Sequence, residues 1–376
     1  MTDRPPSATD VLIVGAGIAG ASLAAALAPW RRVVLAEAED APGYHATGRS
    51  AAFWHETYGG ARVQPLTLAS LETLLSPDPE FSTHGFLSPR TALTIGQASE
   101  AAAVDAFAAE FQAKGVDVER MSGAAVAAKI PGLRPEWSKA AYEAACRDID
   151  VGGLHAAYLR AAKRAGAALV TRAPLRRARR IEDGWRVQLG AEEIGASVIV
   201  NAAGAWADEV AAACGVAPLG IQPYRRTVLQ LRLGVAVPAE LPLVIHVGGE
   251  FYFKGESVGR VWLSPHDETL TEAHDAAPDE MDVAIAIERL QSVVDWPVAA
   301  VERKWAGLRS FAPDRIPVFG PDRDEGRFVW CAGQGGFGIQ TAPAISGLLA
   351  AQLGAPTPPG AIGRVDPLPF APARFA

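Results

Sequence analysis

Only three cysteines occur in the 376 residues, Cys146, Cys214 and Cys331, with no C-x-x-C and no histidine partner at ligand spacing. That scarcity excludes a disulfide framework and a structural metal site, so no metal is expected, and reduced thiols in the cytoplasm are the default. A positive charge excess is also missing: 35 Lys+Arg stand against 42 Asp+Glu, a formal net charge of -7. Such a chain has no general attraction for nucleic acid phosphates. The one basic run, "RAPLRRARR" at 172–180, falls where a strand should emerge and reads as a solvated face. A single hydrophobic stretch, "VLIVGAGIAGASLAAALA" at 11–28, approaches the length of a membrane span. The preceding "MTDRPPSATD" lacks the positive charge of a secretory leader, and the glycines inside the stretch have a better use. No transmembrane segment is therefore expected.

What is present is an ordinary globular composition, 49% hydrophobic and 20% charged, long enough for two domains. Residues 10–40 read as strand, tight turn, helix and strand. Gly15, Gly17 and Gly20 form G-x-G-x-x-G at the first junction. The first glycine permits the turn, the second admits a pyrophosphate to the backbone, and the third lets helix and strand pack closely. The helix start offers unpaired N–H groups and a positive dipole end to phosphate. Glu37 ends the second strand about 20 residues on, where a carboxylate takes the adenosine ribose hydroxyls. Its charge argues for FAD or NAD over NADP.

Three further stretches favour FAD. The segment "GYHATGRSAAFWHETYG" at 43–59 brings small residues, hydroxyls and Arg49 just past the fingerprint, enough to follow a pyrophosphate and a ribityl chain. "SVIVNAAGAWADEV" at 197–210 is another strand end with Gly204 before a helix. "RFVWCAGQGGFGIQTAPAISGLLA" at 327–350 is a strand, a glycine cluster and a helix whose N-terminus would stabilise the negative charge of a reduced flavin. NAD needs no such long embrace.

Taken together, "GAGIAGAS", "PGYHATGRSAA…YG", "FLSPR", "VNAAGAWAD", "PLGIQPYRR", "FYFK", "WAGLRSF" and "GQGGFGIQT" resemble, in order, the D-amino acid oxidase superfamily of flavoproteins, which includes glycine and sarcosine oxidases. Within it the chain looks most like the D-arginine dehydrogenase type of D-amino acid dehydrogenase. The resemblance implies an α/β fold (α+β overall): a Rossmann-like FAD-binding domain from 1–85, 145–218 and 313–376, and a mainly antiparallel β substrate domain from 86–144 and 219–312. The helix-then-strand pattern of 150–175, with Gly166 as cap, can extend the nucleotide-binding sheet, and the proline-rich 355–376 reads as an extended surface tail.

The same resemblance implies the cofactor contacts: Gly15, Gly17, Ala19 and Gly20; Glu37 and Ala38; His45, Ala46, Thr47, Gly48, Arg49, Ser50, Ala51, Ala52 and Phe53; Leu175; Ala203 and Gly204; Gly335, Gly336, Phe337, Gly338, Ile339 and Gln340. It implies substrate contacts at Arg226 and Arg309, whose planar guanidinium groups suit a carboxylate, and at Tyr58 and Tyr252. His55 is a further candidate for a polar contact, or a structural histidine. In distant relatives a histidine in a setting like "HATG" bonds covalently to the flavin, which marks His45; the nearer relatives bind FAD without a bond, the expectation here. The expected chemistry is hydride transfer from Cα to flavin N5, imino acid hydrolysis, and re-oxidation by oxygen or a quinone, with no obligatory protein acid or base. The D-arginine enzymes carry an acidic residue where this chain has Ala92, which points to a neutral or apolar substrate side chain. N-methyl amino acids or 2-hydroxy acids are alternative substrates for the same arginines, and a non-catalytic flavin-binding subunit is a further reading. Nothing demands more than a monomer or small homo-oligomer.

Overall fold

The computed structural model describes residues 5–375; residues 1–4 and 376, which include the start of "MTDRPPSATD" and both ends of the expected FAD domain, lie outside the description. Two large sheets organise the chain. The first has a parallel core in the order Phe328–Ala332, Glu192–Asn201, Ala8–Val14, Val33–Ala36 and Ala168–Val170. Its central strand, ATDVLIV, is buried along Val11–Val14, as a parallel strand covered on both faces must be. Helix Ile18–Leu27 follows the glycine loop, and a Cβ on Gly20 would lie 1.9 Å from the Gly15 carbonyl, so only glycine lets helix and strand meet there.

Helix Val151–Arg164 ends ahead of Gly166 at φ +92, and strand Ala168–Val170 then extends the parallel sheet, as the pattern of 150–175 indicates. The basic run falls on Leu175–Ile181, an antiparallel strand whose arginines face mostly outward.

The second sheet has nine strands and is antiparallel except where Leu243–His246 runs beside Ala92–Gly96. Its spine is the long pair Gln222–Leu233 and Val298–Phe311. All strands of the first sheet come from 8–36, 168–201 and 318–332, and all strands of the second from 92–143 and 222–311. A small third sheet joins Phe53–Trp54, Leu87–Pro89 and Arg147–Ile149, stitching the chain where it passes from one layer to the other.

The C-terminal segment departs from the expected loose tail. Phe370 is 3% exposed and stacks on Phe319 at 5.2 Å. Arg374 bonds both carboxylate oxygens of Asp314 at 2.9 and 3.0 Å and the Ile316 carbonyl at 2.7 Å. Proline-rich composition hides such docking, because one aromatic anchor and one arginine suffice for it.

Candidate active site

The glycine loop is held from three sides. Gly15 sits at φ +98, and a Cβ there would lie 2.5 Å from the Ala202 carbonyl, so the turn after the first strand is closed against the neighbouring strand's end. The Ala16 N–H donates to Glu37 Oε2 at 2.9 Å and the Glu39 N–H to Glu37 Oε1 at 3.0 Å. The Ile18 N–H donates to Thr47 Oγ1 at 2.9 Å, which draws 43–50 over the helix start. His155 Nε2 bonds the Ala16 carbonyl at 2.8 Å, and burial lowers the pKa of this imidazole, keeping it neutral beneath the loop.

A cavity of about 600 Å³ opens above the loop and runs to the glycine cluster near the C-terminus. That is the size of a cofactor pocket, for which roughly 300–1,000 Å³ is usual. Of the residues marked in the sequence, its wall holds Gly15, Gly17, Ala19, Glu37, Ala38, His45, Ala46, Thr47, Ser50, Leu175, Ala203, Gly204, Gly335, Gly336, Gly338 and Ile339, with Arg309 at the far side. Gly20, Gly48, Ala51, Ala52, Phe53, Phe337 and Gln340 are not brought to this wall. Gln340 works one layer behind, accepting from the His55 N–H and donating to the Tyr58 carbonyl and to Thr67 Oγ1. Arg49 departs from the expected pyrophosphate role. Its guanidinium donates to the Ala276 and Ala306 carbonyls at 2.8 and 3.1 Å and pairs with Asp275, so it faces away from the cavity and ties 43–50 to the second sheet. The wall also includes Trp206, Glu209, Arg176, Ser310 and Gln334, which sequence reading passed over.

The fit to FAD rests on the cradle itself. A Cβ on Gly336 would lie 2.6 Å from the Tyr58 hydroxyl, one on Gly335 2.2 Å from the Phe311 ring, and one on Gly338 2.8 Å from Gln334 Oε1. Side chains are excluded from a strip that ends at the N-terminus of helix Gly338–Gln352, where a flat ring can lie against backbone and dipole.

Beside that strip stands the second sheet. Tyr224 pairs with Arg309 and Arg226 with Gly307, so Arg226 and Arg309 are diagonal neighbours on one face. A Cβ on Gly307 would come 3.1 Å from Arg309 Nη1, so the glycine leaves the guanidinium its room. Both arginines are buried, at 2% and 7% exposure, yet differ in company. Arg226 donates to the Asp267 carbonyl at 2.8 Å and pairs with Glu268 at 3.0 Å. Arg309 has no carboxylate partner among the described residues and makes one long bond, 3.4 Å, to the Leu308 carbonyl. Burial pulls its pKa down, with the neighbouring Arg226 adding to the effect. A buried guanidinium without a counter-ion is costly unless a ligand supplies one.

Phe53 lies 5.1 Å from Tyr58 and 6.0 Å from Tyr252 in a buried aromatic group, which, like Arg226 and His55, is not part of the cavity wall, and burial raises the Tyr252 phenol pKa. Ala92, Cys146 and Leu243 pack with Phe53 and Tyr252 in one apolar cluster. His55 belongs to a buried polar group instead: its Nε2 stands 3.1 Å from Glu143 Oε2 and 3.1 Å from Thr57 Oγ1. Burial raises the Glu143 pKa, but His55 and the bonds from Glu56 and Thr57 outweigh it, and the carboxyl sits below its ordinary value.

His266 was not legible as a site residue. It adopts φ +53, its ring lies 5.8 Å from Tyr252, and its Nδ1 donates to the Gly249 carbonyl. Burial, then the charges of Arg226 and Arg309, push its pKa down to about 3. Between pH 6.5 and 3 the unfolded chain binds a proton here that the folded chain does not, so this group's contribution to stability falls as pH falls through that window. Replacement by Asn, which tolerates positive φ, should flatten the loss of Tm between pH 7 and 5 relative to wild type; equal slopes in a thermal-shift series would refute the assignment.

A dinucleotide-binding parallel sheet, faced by an antiparallel sheet that carries buried arginines over a glycine cradle, defines a flavoenzyme of the two-sheet type. The chain belongs to the DAO family of FAD dependent oxidoreductases, whose model matches residues 10–353. A curated relative, FAD-dependent oxidoreductase domain-containing protein 1 of Bos taurus, is 28% identical over 170 residues, 41% of this chain and 35% of that protein; the match thus spans about a third of the relative's length. L-Proline dehydrogenase from P. horikoshii shares the fold with a TM-score of 0.84 at 20% identity, over 99% of this chain and 98% of that one. Glycine oxidase from Geobacillus kaustophilus does so with a TM-score of 0.83 at 23% identity, over 97% and 98%. Among the described residues no helix is long and apolar enough to cross a membrane, and no group of His, Cys, Asp and Glu could hold a metal ion.

Proposed function

We propose that the chain oxidises α-amino acids with neutral or apolar side chains to imino acids, which water converts to 2-oxo acids and ammonia. The observation that carries this reading is Arg309, a buried guanidinium without a protein counter-ion, facing the cavity that the glycine cradle shapes. FAD, when bound, supplies the hydride acceptor; Gly15, Gly17, Glu37 and Thr47 would hold its adenosine and phosphates, and Gly335–Gly338 its ring. Non-covalent binding follows the nearer relatives in the resemblance; His45, on the cavity wall, has its Nε2 3.0 Å from Glu39 and its ring 4.5 Å from Trp206.

Arg309 takes the substrate carboxylate and fixes Cα, which converts a bimolecular encounter into a positioned one. Tyr58 and Tyr252 wall the reacting centre and exclude water. Loss of hydride from Cα requires the neutral amine, so the amine sheds its proton to solvent before Cα gives up its hydride. No side chain need act as acid or base. Ala92 itself offers no carboxylate to a cationic tail and packs in an apolar cluster with Cys146, while the buried Glu143 opposite it is held by His55. The preference for D-amino acids rests on the likeness of the ordered set of motifs, from "GAGIAGAS" to "GQGGFGIQT", to D-amino acid dehydrogenases. The electrons would pass on to oxygen or a quinone, and the enzyme would work in the cytoplasm.

Anaerobic mixing with pools of D-amino acids, L-amino acids, N-methyl amino acids and 2-hydroxy acids tests the reading through loss of the oxidised flavin's visible band. Bleaching by neutral or apolar D-amino acids is the expected result. Bleaching chiefly by D-Arg and D-Lys would refute the inference from Ala92, and bleaching only by N-methyl or hydroxy acids would reassign the substrate. A yellow protein that no pool reduces would point to a flavin-binding subunit.

A further inference from the structure

Resting on that reading, we infer that Glu268 is a built-in carboxylate that occupies Arg226 and limits the substrate to compounds with a single carboxylate. Arg226 and Arg309 look alike in sequence, two arginines on one sheet face, and would together suit two carboxylates. The structure makes them unequal. Glu268 Oε1 lies 3.0 Å from Arg226 Nη2 and 2.7 Å from Arg315 Nη2, and Oε2 lies 2.8 Å from Arg315 Nη2. One carboxylate thus bridges a buried guanidinium and a half-exposed one. Arg315 is itself fixed, at φ +63 and with its guanidinium 3.9 Å above the Phe311 ring.

The backbone around Glu268 is tied down as well. The preceding Asp267 accepts from the Thr227 N–H at 2.6 Å and from Thr227 Oγ1 at 3.0 Å, while its carbonyl accepts from Arg226 Nε at 2.8 Å. Glu268 therefore stands at Arg226 in the folded chain without any ligand. Its charge is shared between Arg226 and Arg315, so Arg226 already holds a carboxylate, and Arg309 is left as the buried guanidinium without one. A monocarboxylate satisfies that charge and brings no other. A second carboxylate would have to displace Glu268 from two arginines or lie unpaired against it, and like charges at that range repel.

The test is a titration of the FAD-loaded enzyme with unreactive acids of matched length, butyrate against succinate and valerate against glutarate, read as perturbation of the flavin spectrum. Wild type should bind each monocarboxylate at least about tenfold more tightly than its partner. Glu268→Gln should close that gap by about tenfold, the scale of one charge-assisted hydrogen bond, with the gain on the dicarboxylate side. Arg315→Gln, at a residue whose side chain is 48% exposed, leaves Glu268 to Arg226 alone and should keep or widen the gap. Equal affinity of wild type for both classes overturns the inference, as does an unchanged ratio in Glu268→Gln or a narrowed one in Arg315→Gln. If wild type binds monocarboxylates and only the ratios fail, the amino acid reading stands and the role of Glu268 falls. If no acid binds at all, both fall.

Discussion

Replacing Arg309 by methionine should raise KM for the amino acid by about 10²- to 10³-fold, the loss of two charge-assisted hydrogen bonds worth roughly 3–4 kcal/mol together. The same change should leave FAD content intact and Tm unchanged or higher. Arg309 is buried with no carboxylate partner, and burial already lowers its pKa, so the folded chain gains when the charge is removed. A mutation that weakens binding while sparing or improving stability is the signature of a group held in place for a ligand. Steady-state kinetics and a melting curve decide it: KM within threefold of wild type, or a Tm several degrees lower, would make Arg309 a structural residue.

Gly15→Ala should yield a protein without its yellow colour. The alanine would have to adopt φ +98 with its Cβ 2.5 Å from the Ala202 carbonyl, and neither neighbour is a flexible side-chain end. Positive φ alone costs an L-residue about 1–2 kcal/mol. Relief of the clash must part the first strand from the strand that ends at Asn201, which opens the cavity at its phosphate end. The expected outcome is an FAD-to-protein ratio below about a tenth of wild type after purification, with a Tm lowered by roughly 4 °C or more. Full flavin content in the variant would show that the loop does not bind where Gly15 and Gly17 place it.

Much of this arrangement was readable because its signals are local. The strand, glycine loop and helix of 8–27 lie within one window, and each glycine answers to a distance in the structure. The antiparallel sheet, by contrast, was implied by the resemblance of the chain's motifs, and its long strand 222–233 shows no clean alternation of buried and exposed residues. What stayed hidden depends on where side chains turn after folding. Arg49 sits in the right loop but is claimed by Asp275 and two carbonyls far along the chain. Arg226 and Arg309 cannot be told apart until Glu268 is seen on one of them. His266 is one histidine in a loop until its backbone folds it toward Tyr252. The docking of 370–374 rests on two side chains in a segment whose composition otherwise suggests none.

The cavity's walls come from widely separated parts of the chain, from 15–19 and 36–50 through 173–176 and 202–213 to 308–310 and 331–339. During synthesis the early wall therefore leaves the ribosome long before the late one exists, and sequence-distant contacts of this kind close slowly. No partial chain carries a complete seat for the flavin ring. Cofactor capture is thus an event of the finished chain, and between release and capture the enzyme must hold two sheets together around an open slot.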